Sequence, residues 1–212
     1  MSSIISNPMF SSIVSLLAGS ALWYGLSEEE KEGKKQTFSL FLDSVFYFVL
    51  VLFGINGLVN VRDIIEVPYG LLLFSSEVVF LATLLTAGFL AFKYGRFLFE
   101  KPEKTLSIAL LYTAVGLVNH LYIYYLFGSA YSLRFVLLFA LTLGLLSVSG
   151  LRKKLNGLLL FSGFGVSHVL LMGGRSVIYF NFVFHPLPLL LIFAVTSGII
   201  FVRRGTGLSQ LN

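Results

Sequence analysis

The chain contains no cysteine. Disulfides, thiolate metal sites, iron–sulfur clusters and cysteine nucleophiles are therefore excluded, and any metal or proton chemistry has to rest on three histidines and a few carboxylates. Charge is also scarce: 12% of the 212 residues are Asp, Glu, Lys or Arg, against about 25% in an ordinary soluble domain. Such a chain lacks the polar surface to cover a water-soluble globule of its size. That excludes a soluble enzyme, and it excludes a nucleic-acid partner despite the net charge of +5. No Lys or Arg precedes Lys31, so the basic n-region of a signal peptide is missing and the first apolar stretch is expected to remain as a membrane helix. P-loop, nucleophile-elbow, dinucleotide and zincin motifs are all absent, which leaves ATP hydrolysis and serine-hydrolase chemistry without support. The last apolar stretch, Pro186 to Val202, has no lysine to carry a retinal Schiff base.

What is present is hydrocarbon. Apolar residues make up 57% and aromatic residues 16% of the chain, and the mean hydropathy is +0.90. An apolar helix of about 20 residues crosses a bilayer. On that basis residues 1–212 read as one polytopic domain, an all-α integral membrane bundle of seven spans at about 8–26, 38–59, 70–92, 106–127, 133–151, 156–174 and 186–202. Twelve of the fifteen cations follow spans 1, 3, 5 and 7, while Arg62, Arg134 and Arg175 occupy the alternate segments. The positive-inside rule then places the N-terminus outside and the C-terminus in the cytoplasm of a cell membrane. Trp23, Tyr24, Phe92, Tyr94 and Phe97 are read as an inner interfacial belt, and Tyr122, Tyr124, Tyr125, Tyr131, Tyr179, Phe180, Phe182 and Phe184 as an outer one.

The tetrapeptide Gly57-Leu58-Val59-Asn60 recurs as Gly116-Leu117-Val118-Asn119, with a looser echo at Gly165-Val166-Ser167-His168. Each precedes a short outer connection and a returning helix. The pattern suggests three tandem helical hairpins behind one extra N-terminal helix, an arrangement that places sites at repeat interfaces.

Ionisable groups at membrane depth cost about 2.5–3.5 kcal/mol on insertion scales, so each is a functional candidate. Glu77, His120 and His168 each fall about six or seven residues inside an outer helix end, roughly 10 Å deep. Asn60, Asn119 and Ser167 lie near that layer, and Arg134, Arg175 and His185 lie above it. Together they predict an outward-facing polar site with Glu77, His120 and His168 at its floor. The bland alternative is a buried structural pairing of Glu77 with a histidine or Arg134. Glu28 to Lys35 reads as a solvated connector, and Gly173-Gly174-Arg175 as a helix terminator.

The residues are read first as the proton relay or substrate site of a small permease or channel, with no cofactor required. A second reading is a non-catalytic accessory subunit in contact with lipid and with other membrane subunits or copies of itself. A third is a histidine-ligated haem protein using His120 and His168, or a zinc enzyme using His120, His168 and His185. No His-Glu-x-x-His motif and no pair of histidines one helical turn apart supports the zinc chemistry.

Overall fold

The computed structural model describes residues 8–128, 130–148, 157–180 and 182–208. It is mostly helical (86%), with four helices long and apolar enough to cross a bilayer. The helices are α1 (Pro8–Leu26), α2 (Lys31–Val59), the short α3 (Val61–Glu66), α4 (Ser76–Glu100), α5 (Pro102–Phe127), α6 (Ala130–Ser147), α7 (Gly157–Met172) and α8 (Pro186–Leu208). Strands β1 (Val177–Tyr179) and β2 (Phe182–Phe184) form an antiparallel hairpin between α7 and α8. The four long apolar helices are α2, α4, α5 and α6, whereas the apolar parts of α1, α7 and α8 are shorter. Among the described residues four helices meet the spanning length, and the expected count of seven spans is not confirmed.

Local chemistry sets the boundaries. Pro102 occupies the first turn of α5 and Pro186 opens α8, where the missing amide costs no helical bond. Gly128 ends α5 in the left-handed region at φ 59°, and Gly173 and Gly174 end α7 at φ 54° and 80°. The third expected span, 70–92, needs correction. Residues Pro68–Leu72 form a 3-10 turn, and the Ser75 hydroxyl accepts from the Val78 amide at 3.3 Å, so α4 starts at Ser76. The expected spans 133–151 and 156–174 run partly outside the described residues at the α6–α7 connection, and the cations Arg152, Lys153 and Lys154 lie wholly outside them.

Helix α5 is the axis of the bundle. In its most apolar stretch 61% of residues are buried, against 17% for α2. Helices α1 and α6 pack on it, and a circuit from α6 through α7, α8, α4 and α2 returns to it. The hairpin caps one end, with β1 against α5 and β2 against α4. Its strands pair with each other, Val177 opposite Phe184 and Tyr179 opposite Phe182, which satisfies the inward-facing part of this non-helical backbone.

The α1–α5 contact rests on small residues. Ser11, Ser15, Gly19 and Trp23, four residues apart, are all buried. A Cβ on Gly19 would lie 2.4 Å from the Val115 Cα, and Asn119 Nδ2 donates to Ser15 Oγ at 3.3 Å. Close backbone approach of this kind is how helices gain van der Waals contact where the hydrophobic effect between them is absent.

The opposite end is held by a polar knot. Glu29 meets Lys104 at 2.8 Å, with both side chains 15% exposed, and its carboxylate also accepts from Thr37 Oγ1 and Ser107 Oγ at 2.8 Å. Lys104 in turn donates to the Gly33 carbonyl at 2.8 Å. The Glu28–Lys35 segment is a solvated connector only in part: Glu28, Glu30, Lys31, Glu32 and Lys35 are exposed, but Glu29 is half-buried in the knot, and Lys31 onwards belongs to α2. Substituting Glu29→Gln is expected to lower stability by about 1–3 kcal/mol by leaving Lys104 half-buried without its charge partner, read as a fall in thermal midpoint in detergent. Glu32→Gln, on the exposed side of α2, is the control and should leave the midpoint within about 0.5 kcal/mol of wild type.

Candidate functional site

Two of the predicted residues come together in the core. His120 on α5 is 1% exposed and His168 on α7 is 2% exposed. The β1 strand inserts Tyr179 against both. Its hydroxyl lies 2.6 Å from His168 Nε2, and its ring meets the His120 ring edge-on with centroids 4.7 Å apart. Aromatic rings close the remaining sides. Phe135 of α6 stacks on His120 at 5.1 Å and faces His168 at 4.8 Å, Phe139 lies 5.4 Å from His120, and Phe164 lies 5.6 Å from His168.

Glycines make this nest possible. Gly116, one turn before His120, leaves room for the Phe139 ring, which would lie 2.3 Å from a Cβ there. Gly165, just before His168, does the same for Phe193 of α8, at 2.5 Å. Gly57, the matching position of the first sequence echo, meets nothing within 4 Å.

Polar satisfaction within the nest is uneven. His168 shares a hydrogen bond with Tyr179. His120, by contrast, has no partner at Nδ1 or Nε2 among the described residues. A neutral imidazole carries one donor and one acceptor, and leaving a buried polar group unmatched costs about 1–3 kcal/mol. The nest thus holds a buried imidazole with no partner among the described residues beside a hydrogen-bonded Tyr–His pair.

The other candidates lie elsewhere. Glu77 does not join the histidines. Because α4 begins at Ser76, its carboxylate sits exposed in the first turn. There it lines a cavity of about 100 Å³ with Ser76, Phe80, Phe184 and His185, beside β2. His185 is exposed, and its Nδ1 is 2.7 Å from Ser176 Oγ, closing the base of the hairpin. Asn119 faces α1 through Ser15. Asn60 caps α2 and donates to Asn56 Oδ1 at 2.7 Å, while Asn56 donates to the Leu71 carbonyl at 2.9 Å, a structural clamp on the 3-10 turn. Arg134 and Arg175 are exposed at the hairpin end, and the Arg175 carbonyl accepts from the Tyr131 hydroxyl at 3.3 Å.

This geometry does not fit the metal readings. His185 stands apart from His120 and His168, and no group of three His, Asp or Glu side chains placed to hold a metal occurs among the described residues. A haem needs a flat macrocycle between its two axial imidazoles, but Phe135 and Tyr179 fill that space.

Tyr179 is the residue that sequence reasoning missed, by treating it as an interfacial anchor. Its signal was the run Val177-Ile178-Tyr179-Phe180-Asn181-Phe182-Val183-Phe184, β-branched and aromatic on both sides of a central Phe-Asn pair. No protein-family model, curated protein or solved structure matches this chain, so the His120–His168–Tyr179 chamber stands on its own geometry.

Proposed function

We propose that this chain is a small permease of the cytoplasmic membrane, in which His120, His168 and Tyr179 receive and pass on protons or a hydrogen-bonding solute. The observation that carries the reading is His120: an imidazole with both nitrogens unmatched among the described residues, 1% exposed, on a helix whose most apolar stretch is 61% buried. Ionisable side chains in such places mark ion and proton pathways in membrane proteins, and a neutral imidazole carries both a donor and an acceptor nitrogen. The Tyr179 hydroxyl and His168 Nε2 share a hydrogen bond of 2.6 Å, and the His120 ring lies edge-on to Tyr179; in this reading a proton passes to or from His120 when its ring turns toward that hydroxyl.

In this proposal all seven apolar helices cross the membrane, with the N-terminus outside and the hairpin closing the outer end. The shorter helices α1, α7 and α8 are accommodated by local thinning of the bilayer around them. The aqueous side of the chamber is shut by the hairpin, which makes this the occluded state.

Proton movement into vesicles containing the purified protein and a trapped pH-sensitive dye tests the reading. Wild type is expected to dissipate an imposed pH gradient at least about tenfold faster than protein-free vesicles, a difference of about 1.4 kcal/mol in barrier. Tyr179→Phe and His168→Ala should return the rate to background. Wild-type vesicles no faster than empty ones would remove the transport reading and favour the accessory-subunit alternative.

A further inference from the structure

Glu77 and His185 take no part in the histidine nest, yet both line one cavity of about 100 Å³ at the hairpin end. The start of α4, strand β2 and the first turn of α8 enclose it, with Ser76 beside Glu77 and with Phe80, Val183, Phe184 and Pro188 as apolar walls. The Ser75 cap sets where α4 begins, and so places Glu77 at this edge. Its carboxylate is exposed and forms no ion pair among the described residues. His185 is held by the hairpin base, its Nδ1 2.7 Å from the Ser176 hydroxyl. With Nδ1 donating to that oxygen, Nε2 remains as an acceptor on a ring that lines the cavity. Phe184 meets the Tyr179 ring with centroids 6.1 Å apart, but neither His120 nor His168 reaches the cavity.

We propose that this cavity binds a primary ammonium ion on a short apolar chain, at a site separate from the histidine nest and independent of transport. Such a head carries one positive charge and three N–H donors. The lining answers it with the Glu77 carboxylate, the Ser76 hydroxyl and the His185 imidazole, while the four apolar walls cover the chain. Two of those walls are phenyl rings, Phe80 and Phe184, whose faces attract a cation. Other solutes match the lining less well. An anion would meet the Glu77 carboxylate, and a neutral solute would draw nothing from its charge. A bare divalent metal would find two protein ligands where a zinc site takes three or four, and no third His, Asp or Glu joins them among the described residues. A dissolved alkylamine and the aminoethyl head of a phospholipid share the chemistry that the cavity selects.

Photolabelling of the full chain in phosphatidylcholine nanodiscs tests this, with a diazirine-bearing butylamine as the probe and the matching alcohol as its uncharged counterpart. The amine is expected to label the α4 and hairpin peptides that line the cavity about tenfold more than the alcohol, corresponding to about 1.4 kcal/mol of charge recognition. Excess n-propylammonium chloride should remove the difference. Glu77→Gln and Val183→Trp should each bring amine labelling down to the alcohol level, the first by removing the charge and the second by filling the cavity from an exposed strand position. Glu66→Gln, exposed on α3, is the control and should leave labelling unchanged. A carboxylate also suits the positive end of a helix, so a lower thermal midpoint in Glu77→Gln with amine labelling intact would assign Glu77 to the helix alone and overturn the inference. Equal labelling by amine and alcohol, or amine labelling that propylammonium does not compete, would overturn it too. Adding phosphatidylethanolamine to the nanodiscs separates the two sources: a suppressed amine signal assigns the site to a lipid head, and an unchanged one to a dissolved amine.

Discussion

Replacing Gly19 by leucine is expected to release α1 from the bundle. The Cβ alone would lie 2.4 Å from the Val115 Cα and 2.8 Å from its amide nitrogen, and backbone cannot rotate away as a side-chain tip can. Overpacking of this kind costs about 3 kcal/mol or more when the obstructing atoms belong to a neighbouring helix. The protein carries its own reporter, because its single tryptophan, Trp23, sits one turn further along the same face of α1, 2% exposed and stacked 6.4 Å from Phe38. Gly19→Leu should therefore shift the tryptophan emission to longer wavelength and lower the thermal midpoint together. Gly25→Leu is the control: a Cβ there meets nothing within 4 Å, so emission and midpoint should stay near wild type. A blue Trp23 emission in Gly19→Leu would mean that α1 is not held by this crossing.

The same interface shows what was legible in the sequence and what was not. Apolar length placed α1, α2, α5 and α8 close to their observed positions, because hydrophobic runs and prolines report directly on helices in lipid. The spacing of Ser11, Ser15 and Gly19 was equally visible, yet small residues announce a close crossing only once the partner helix is known. Glu77 was misplaced for a different reason. Hydropathy continues through Leu71, Leu72, Leu73 and Phe74, but the Ser75 cap starts the helix after them and moves the carboxylate to its mouth. The hairpin was hidden because Phe and Tyr serve equally as strand residues and as interfacial anchors. Glu29 and Lys104 are 75 positions apart in the chain, and nothing local marks either as more than a surface charge. His120 and His168, expected at membrane depth, are buried together in the core, while the residue that touches both, Tyr179, comes from an element the hydropathy pattern does not reveal.

His120→Phe is expected to stabilise the fold and abolish function. The His120 ring already sits as an aromatic among aromatics, stacked on Phe135 at 5.1 Å and 22° and edge-on to Tyr179 at 4.7 Å and 84°. A phenyl ring keeps those contacts and removes two polar atoms that have no partner among the described residues. Relief of that unmatched polarity is worth about 1–2 kcal/mol, which should appear as a rise in thermal midpoint. His120→Ala leaves a cavity in the same nest and should lower the midpoint by about 2 kcal/mol or more. If both variants lose proton flux while their stabilities move in opposite directions, the loss follows the imidazole and not the packing. A residue retained for structure behaves otherwise, since its best-packed replacement would keep whatever the protein does. A histidine without a partner among the described residues is a standing cost that a phenylalanine would remove. A fall in midpoint on His120→Phe, or a flux equal to wild type, would show that His120 is part of the scaffold and would end the chamber reading.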